Sequence, residues 1–499
     1  MAELDTIDVE LKDLKIVKSI FARHLPYKQV WAYGSRVKWT ATHTSDLDCV
    51  VFGATDSEIA DAKEAFDESD IPFEVQLLNW ETIPNDFKEN IKEQYFILRN
   101  NGDWRETTLG EIADITSSKR IFYKEYVGEG VPFYRSKEII EKHNKGKLST
   151  DLYISEERYE EIKSKFGVPI QGDILLTSVG TLGIPYIVQE KETFYFKDGN
   201  LTWLKNIKSN STSDFLYYWI VSPIGKNTLN SITIGSTQPA LTISGLKEAN
   251  ITLPSLPEQK AIASVLSSLD DKIDLLHRQN KTLESIAETL FRQWFIEEAQ
   301  DDWEEVSLSQ LANIICGKTP SKKKPEYFDG NVPFIKIPDM HGNIYITQTA
   351  DSLTEEGENS QRNKTIPSFS ICVSCIATVG LVSMTIAESQ TNQQINTIIP
   401  YKEIYRYYLF LYMKNSFDLL QAMGSGGTAT LNINTSSFSK MNIDKPDDIT
   451  LENFSDKVSL IFNKILSNQK QIKTLESLRD TLLPKLISGN IRVKYEAAA

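Results

Sequence analysis

Apolar residues recur at alternating steps of four and three along two segments of the chain. The first seam is formed by Ile262, Leu266, Leu269, Ile273, Leu276, Asn280, Leu283, Ala287, Leu290 and Trp294. The second is formed by Val458, Ile461, Ile465, Asn468, Ile472, Leu475, Arg479, Leu482 and Leu486. This heptad spacing indicates helices that bury one stripe along their length. Each segment predicts a helix of about 30 to 40 residues, or roughly 45 to 60 Å.

An asparagine lies in each seam, Asn280 in the first and Asn468 in the second. A single seam usually forms plain core, but two seams in one chain can bury each other. A polar residue inside such a pair commonly fixes the register at some cost in stability. We therefore expect an antiparallel pair of helices whose register depends on the two asparagines.

Ahead of each seam, β-branched and aromatic runs bounded by Gly, Pro and Asn predict short strands. They are ILLTSVG, PYIV and FYFKDGNLTWL before the first seam, and ICVSCIATVG and INTIIP before the second. Segments that begin at Asp214 and at Tyr405 have the composition of helices packed on such strands. The predicted fold class is a multidomain α+β protein.

The two seam-bearing halves are copies of one repeat. Trp104-Arg-Glu-Thr-Thr-Leu-Gly-Glu-Ile-Ala returns as Trp303-Glu-Glu-Val-Ser-Leu-Ser-Gln-Leu-Ala, and Val131-Pro-Phe-Tyr-Arg returns as Val332-Pro-Phe-Ile-Lys. Lys281-Thr-Leu-Glu-Ser recurs unchanged from Lys473. Because the matches keep their order, we expect two similar globular parts, each followed by a long helix and related by a pseudo-twofold axis.

Length and charge limit the possible functions. A chain of 499 residues exceeds one hydrophobic core, so three or more domains are expected. Its start lacks a signal-peptide pattern and no apolar run reaches the roughly 18 to 20 residues of a bilayer span, which predicts a cytoplasmic protein. The net charge of -14 opposes nucleic-acid binding overall, but residues 1–100 hold 19 acidic and 11 basic residues, or -8 of it. DNA binding would then depend on local clusters of Lys and Arg.

From residue 104 to about residue 493, the repeat resembles the specificity subunits of type I restriction-modification systems. The resemblance is carried by the Trp-x-x-x-x-Leu-x-x-Ile/Leu-Ala opening of each half and by Gly235-Ser-Thr-Gln leading to Leu253-Pro-Ser-Leu-Pro-Glu-Gln-Lys. The ending Leu482-Leu-Pro-Lys-Leu-Ile-Ser-Gly-Asn-Ile also matches. The second half departs from the pattern, since Asp444-Lys-Pro-Asp-Asp replaces the first half's Leu-Pro-Ser-Leu-Pro, which leaves the start of the second long helix open.

The resemblance implies two target recognition domains that each read one half of a bipartite DNA site, held apart by the two helices. It implies two methyltransferase (modification) subunits that bind S-adenosylmethionine and dock on the helices, together with restriction subunits. The sequence itself has no Asn/Asp-Pro-Pro-Phe/Tyr/Trp motif and no glycine-rich S-adenosylmethionine loop. We therefore expect the repeat part to be non-catalytic and to need no cofactor for DNA recognition.

A different motif lies ahead of the repeat. Gly34-Ser35 is followed by Asp46-Leu-Asp48, which resembles the minimal nucleotidyltransferases of the polymerase-β superfamily. A glycine-serine turn at a helix start offers backbone N–H groups to a triphosphate. Asp46 and Asp48 lie two apart on a predicted strand and can share Mg²⁺ ions on one face.

The third carboxylate of that family is missing from its usual place. Where the family has a Val-Asp-Leu-Val-Asp context, this chain has Glu74-Val-Gln76-Leu-Leu, and glutamine supplies no negative charge. Glu74, two residues earlier on the same face, is the remaining candidate. If the site is active, the resemblance implies catalysis by Asp46, Asp48 and Glu74 with Mg²⁺ and a nucleoside triphosphate; otherwise the domain serves in binding or docking.

The predicted domains follow one another as a nucleotidyltransferase-like domain (1–100), a first recognition domain (104–255), a central spacer helix (256–298), a second recognition domain (303–448) and a C-terminal spacer helix (449–490). Candidate DNA contacts are basic or polar residues of predicted loops, namely Lys119, Arg120, Arg135, Lys137, Lys322, Lys336 and His341. Two alternatives stay open. One is a nucleotidyltransferase or toxin-antitoxin component whose repeat only selects its substrate, and the other is a scaffold that no longer binds DNA.

Overall fold

The computed structural model describes residues 2–3, 6–25, 28–42, 44–99, 104–144, 148–425 and 431–493, with the backbone alone at 2–3. The chain divides into two compact units, one of residues 1–268 with 479–499 and the other of residues 269–478. Within the described part of the chain, no helix is long and apolar enough to cross a membrane.

The N-terminal domain, in the first unit, is built on a five-stranded sheet. In spatial order its strands are Ala2–Glu3, Gln94–Arg99, Gln29–Tyr33, Leu47–Phe52 and Val75–Asn79. Its helices are Leu11–His24, Asp56–Asp67 and Asn85–Glu93. Strand Leu47–Phe52 runs antiparallel to Gln29–Tyr33 and parallel to Val75–Asn79, so one sheet face carries side chains from all three.

Local sequence explains this domain's helices and core. Thr55 and Glu58 form a capping box at the start of helix Asp56–Asp67, in which each side chain accepts a hydrogen bond from the other residue's backbone N–H. Phe21 and Phe66 meet edge to face with ring centroids 5.0 Å apart, which packs two helices together on the buried face of the sheet. The opposite face carries an aromatic cluster, in which the rings of Trp31 and Phe52 are 4.7 Å apart, and the polar side chains of Asp48 and Gln76 at one end.

The first repeat half, also in the first unit, contains two four-stranded sheets. One has the order Pro185–Ile187, Ile174–Thr177, Leu201–Lys205 and Asp114–Thr116, and the other has the order Tyr195–Phe196, Val131–Tyr134, Tyr153–Ile154 and Tyr126–Val127. Two further strand pairs are Arg105–Thr108 with Asn250–Leu253 and Thr233–Ile234 with Ala240–Leu241. The helices are Leu109–Ile112, Tyr123–Glu125 (3-10), Ser136–His143, Glu156–Phe166, Ser213–Val221, Pro223–Ser231 and Ile243–Glu248.

The second repeat half, in the second unit, has a five-stranded and a three-stranded sheet. The five-stranded sheet has the order Ala312–Cys316, Ile395–Pro400, Ile371–Ser374, Val382–Thr385 and Tyr345–Ile346. The three-stranded sheet has the order Asp351–Leu353, Phe328–Ile335 and Gln390–Thr391. A further pair joins Glu304–Ser307 to Asn442–Lys445. The helices are Leu308–Leu311, Pro325–Tyr327 (3-10), Ile337–Met340, Glu355–Asn359, Arg362–Lys364 (3-10), Tyr405–Asn415, Phe417–Gly424 and Thr435–Ser439.

The two halves share one topology, as their sequence repeat predicts. Val131–Tyr134 pairs in parallel with Tyr195–Phe196, and Phe328–Ile335 pairs in parallel with Gln390–Thr391. In both halves the strand that follows the opening Trp pairs antiparallel with the strand just before the long helix. The mixed α+β fold class is confirmed.

Two long helices complete the fold. The helix Leu256–Arg292, called here the central helix, has 37 residues and continues into a π-helical turn at Gln293–Glu297. The helix Asp448–Ile487, called here the C-terminal helix, has 40 residues. The side chain of Asp447 accepts a hydrogen bond from the backbone N–H of Thr450 at 2.9 Å, which fixes the start that the sequence left open.

Each unit contains a paired section of these helices. In the second unit, Ile273, Leu276 and Ile472 form a small buried cluster, and Asn468 donates a hydrogen bond to the side-chain oxygen of Asn280 at 2.9 Å. In the first unit, the start of the central helix and the end of the C-terminal helix enter the core of the first repeat half through Ile262, Leu266, Leu486 and Ile487. The seams thus pack against the partner helix in one section and against the core of a repeat half in the other.

Candidate functional sites

The acidic pair of the N-terminal domain lies on the sheet face that does not contribute to the main core, at the end of strand Gln29–Tyr33. Asp48 belongs to strand Leu47–Phe52, directly opposite Tyr33, and Asp46 precedes that strand by one residue. Gly34 has a φ of +82° and lies against Asp48, so close that a Cβ there would be 2.5 Å from a carboxylate oxygen. Glycine is required at this position both for the backbone angle and for the space.

Gln76 completes the neighbourhood of the pair. In the parallel register it is the partner of Asp48, and its amide nitrogen donates a hydrogen bond to Asp46 Oδ2 at 2.8 Å. Glu74 lies just ahead of strand Val75–Asn79, where its backbone oxygen accepts a hydrogen bond from Leu47, and its side chain is exposed. The contact partner of the acidic pair is therefore an amide.

The residues at this site do not fit a divalent-metal site with three carboxylates. Among the described residues, no three His, Cys, Asp or Glu side chains come together as a possible ligand set. Burial raises the pKa of Asp48 above its usual value, and the nearby Asp46 raises it further. Burial also raises the pKa of Tyr33 to about 12, with Asp48 contributing.

One expectation for this site is wrong. The Gly34-Ser35 turn was expected at the start of a helix, but residues 35–39 form turns and no α-helix begins there. Two backbone hydrogen bonds hold these turns, one from the N–H of Lys38 to the oxygen of Gly34 at 3.1 Å and one from the N–H of Thr40 to the oxygen of Ser35 at 3.0 Å. The helix dipole that was expected to favour a phosphate is therefore not found at Gly34-Ser35.

The cations of the repeat halves fall into two classes. Arg135 and Lys336 occupy equivalent positions after equivalent strands of the two halves. The backbone N–H of Arg135 donates to the carboxylate of Glu138 at 2.7 Å, and that of Lys336 donates to the carboxylate of Asp339 at 2.8 Å. The side chain of Arg135 also pairs with Asp151 at 2.8 Å, and that of Lys336 pairs with Asp351. Both cations are neutralised inside their own domain.

The other candidate contacts are more accessible. Lys119 and Arg120 lie in the loop after strand Asp114–Thr116, and Arg120 is 67% exposed although it pairs with Asp198 at 2.8 Å. Lys137 is exposed and lies 4.0 Å from Glu141. Lys322 and His341 are exposed, and neither side chain makes an ion pair or hydrogen bond with the described residues.

Two aromatic residues beside these cations were missed in the sequence. Phe122 and Tyr123 follow Lys119 and Arg120 in the same loop and are 57% and 91% exposed. Large aromatic side chains in water at adjacent positions are unusual unless they contact a partner. The signal was present as Phe-Tyr set among basic residues, but only the fold shows that the pair is left uncovered.

Family comparisons match both parts of the chain. The family described as "Type I restriction modification DNA specificity domain" matches residues 101–285 and 300–477. The family described as "Polymerase beta, Nucleotidyltransferase" matches residues 15–102.

Individual relatives divide in the same way. The HindI type I restriction enzyme specificity subunit of Haemophilus influenzae is 32% identical to this chain, and the alignment covers 78% of this chain and 100% of that protein. The probable protein adenylyltransferase MntA of the same species is 38% identical over 102 residues, which are 20% of this chain and 90% of that protein. The crystal structure of a type I S subunit from M. genitalium shares the fold with a TM-score of 0.53 at 18% identity, over 78% of this chain and 97% of that one.

Proposed function

The chain belongs to the family of type I restriction-modification specificity subunits and carries an N-terminal domain of the nucleotidyltransferase family, and from that premise we propose that it selects a bipartite DNA sequence for such a complex. The observation that carries the proposal is the duplication: two halves of one topology, each offering the same loop with uncovered cations. Two equivalent readers match two half-sites.

We assign DNA contact to the loops at residues 117–122 and 317–324. These loops follow equivalent strands and carry Lys119, Arg120 and Lys322, whose charged groups remain accessible. Phosphates attract such groups, while Phe122 and Tyr123 can stack on bases or enter a groove. Lys137 and His341 are further exposed candidates for DNA contact, whereas the side chains of Arg135 and Lys336 are held in ion pairs within their own domains.

The long helices are proposed to be the spacer and the docking site. At about 1.5 Å per residue, helices of 37 and 40 residues extend roughly 55 to 60 Å. In the second unit they leave four apolar side chains exposed, Leu275, Ile286, Leu460 and Leu478, which are candidates for contact with a protein partner. We propose that two modification subunits, which bind S-adenosylmethionine, dock there and that restriction subunits join through them.

The N-terminal domain is not assigned a transferase role in this proposal. The suggested Mg²⁺ and nucleoside triphosphate would need the acidic pair together with a further carboxylate, and Gln76 stands in contact with Asp46 instead. A nucleotidyltransferase whose repeat only selects its substrate remains the competing function, supported by 20% of the chain.

The test is footprinting of the complex reconstituted with its modification subunits. Two protected half-sites at fixed spacing are expected. Lys322→Ala should weaken protection of one half-site only and reduce the salt dependence of binding, with no change in thermal stability, because that side chain contacts only solvent in the described protein.

Lys336→Ala is the matched control. It removes the ion pair to Asp351, so it should lower the melting temperature of the second repeat half more than Lys322→Ala does. Absence of protected half-sites would reject the proposal, and equal loss at both half-sites in Lys322→Ala would reject modular reading.

A further inference from the structure

The acidic pair of the N-terminal domain is held by a side chain that carries no charge. Gln76 lies opposite Asp48 in a parallel register and reaches Asp46, so the three side chains occupy one patch of the same sheet face. In a metal-dependent transferase the residue at the position of Gln76 supplies an anionic oxygen to the cation. Here it supplies an N–H donor.

The orientation of the amide follows from charge. Gln76 Nε2 is 2.8 Å from Asp46 Oδ2. If the amide were turned over, its oxygen would face a carboxylate oxygen at the same distance with no proton between them, which is repulsive for an ionised Asp46. The donor orientation therefore occupies one lone pair of Asp46 Oδ2 on the side that faces Gln76, and it places a positively polarised N–H where a third carboxylate oxygen would face a divalent cation.

No side chain nearby compensates for the lost carboxylate. Glu74 is exposed and makes no contact with the pair among the described residues. Arg36, two residues after Gly34, is engaged elsewhere: its guanidinium donates to the backbone oxygens of Asp8 and Ser45 and lies 4.0 Å from the ring of Phe73. The hydrogen bond from Gln76 is thus the specific stabilising contact of Asp46.

We propose that Gln76 keeps the Asp46–Asp48 pair free of divalent cations, so that the N-terminal domain retains the nucleotidyltransferase fold without metal-dependent nucleotidyl transfer. The domain then contributes through binding. Its last strand is already joined to the first repeat half, since Arg99 donates a hydrogen bond to the backbone oxygen of Trp104 at 3.0 Å. The inference is independent of the DNA-reading function.

The experiment is a Mn²⁺ titration of the full chain, followed by the electron paramagnetic resonance signal of free Mn²⁺. Wild type, Gln76→Asn and Asp46→Asn are expected to bind alike. Gln76→Asp should gain one site that binds at least about tenfold more tightly than any site in wild type, because it restores a third carboxylate oxygen. The double variant Gln76→Asp with Asp46→Asn should lose that gain.

Two results would overturn the proposal. The first is Mn²⁺ binding by wild type that Asp46→Asn abolishes, or label transfer from a nucleoside triphosphate that the same variant abolishes. The second is a folded Gln76→Asp protein, and a folded Gln76→Glu protein, that gain no site. Circular dichroism and the half-site footprint serve as controls, and both should be unchanged in every variant, which separates this test from that of DNA recognition.

Discussion

Asp48 illustrates how a retained acidic residue can cost stability. Its folded-state pKa lies above the unfolded value of 3.8 because of burial and the neighbouring Asp46. The ionised form is therefore penalised in the folded state. That penalty is absent below pH 3.8 and grows as the pH rises through the folded pKa.

We expect Asp48→Asn to stabilise the N-terminal domain at neutral pH. The gain follows because asparagine has no ionised form for burial to penalise, and solvent screening of the half-buried side chain limits its size. It should vanish as the pH falls toward 3.8. Hydrogen exchange of the amides in strand Leu47–Phe52, measured in the full chain, reports the change as slower exchange.

Glu74→Gln is the control, because it removes a charge from an exposed side chain at the same edge and should leave exchange unchanged. Faster exchange in Asp48→Asn, or a gain that persists at low pH, would contradict the assigned cause.

For single residues, the sequence predicted the residue types of the site better than their contacts. The absence of the third carboxylate could be seen in Gln76, but its hydrogen bond to Asp46 depends on strand register. Likewise the ion pairs of Arg135 with Asp151 and of Lys336 with Asp351 join residues 15 or more positions apart, so the sequence did not show them, although Arg135 also pairs with the nearby Glu138 at 2.7 Å. Charge clusters in a sequence do not show which charges are already paired.

The two long helices are joined by a hydrogen bond between Asn468 and Asn280. Asn468 is fully buried, and its amide donates to Asn280 at 2.9 Å and approaches the side-chain oxygen of Gln279 at 3.5 Å. Replacing one partner leaves a buried polar group without its main hydrogen bond. Replacing both by leucine leaves an apolar pair instead.

We expect Asn280→Leu and Asn468→Leu each to lower the free energy of unfolding by about 1 to 3 kcal/mol. The double variant should be at least as stable as wild type, giving a strongly non-additive cycle. Urea unfolding midpoints of the four proteins measure the coupling. Additive single effects would mean that the hydrogen bond contributes nothing to the pairing.

Periodic elements could be predicted and irregular ones could not. Heptad spacing identified both long helices because every turn repeats the same signal. The start of the C-terminal helix stayed open because Asp444-Lys-Pro-Asp-Asp departs from the pattern of the first half, and only the hydrogen bond from the N–H of Thr450 identifies Asp447 as the cap. The helix expected after Gly34 was wrong because a glycine-serine turn is equally compatible with successive tight turns.

At the scale of the whole molecule, the internal repeat was the most reliable signal in the sequence. It predicted two globular parts of one topology, each followed by a long helix. The order of strands within the sheets was not predictable, because many strands have only two to five residues and such runs do not specify their partners.

We expect the length of the two long helices to set the number of unread base pairs in the recognised sequence. Duplicating residues 269–275 together with residues 473–479 adds a heptad to both helices around the cluster of Ile273 and Leu475. Seven residues add roughly 10 Å, or about three base pairs, so the unread gap in the recognised sequence should widen by about that amount.

The methylated motif of a host that carries the variant measures the gap. Duplication in one helix alone is the control, and it should abolish binding because the seams then fall out of register. An unchanged gap in the double duplication would show that the helices do not set the spacing.

The first repeat half closes on the far end of the chain. Leu486 and Ile487 belong to its core together with Trp104, Gly489 lies against the ring of Trp104, and Arg492 pairs with the buried Glu258. A ribosome adding roughly 5 to 20 residues per second needs about 20 to 80 s to travel from the first of these positions to the last. During that interval the half-built module has an open apolar side, so nascent-chain chaperones should engage it, and a chain terminated before Leu486 should lack part of the core of a domain that begins hundreds of codons upstream.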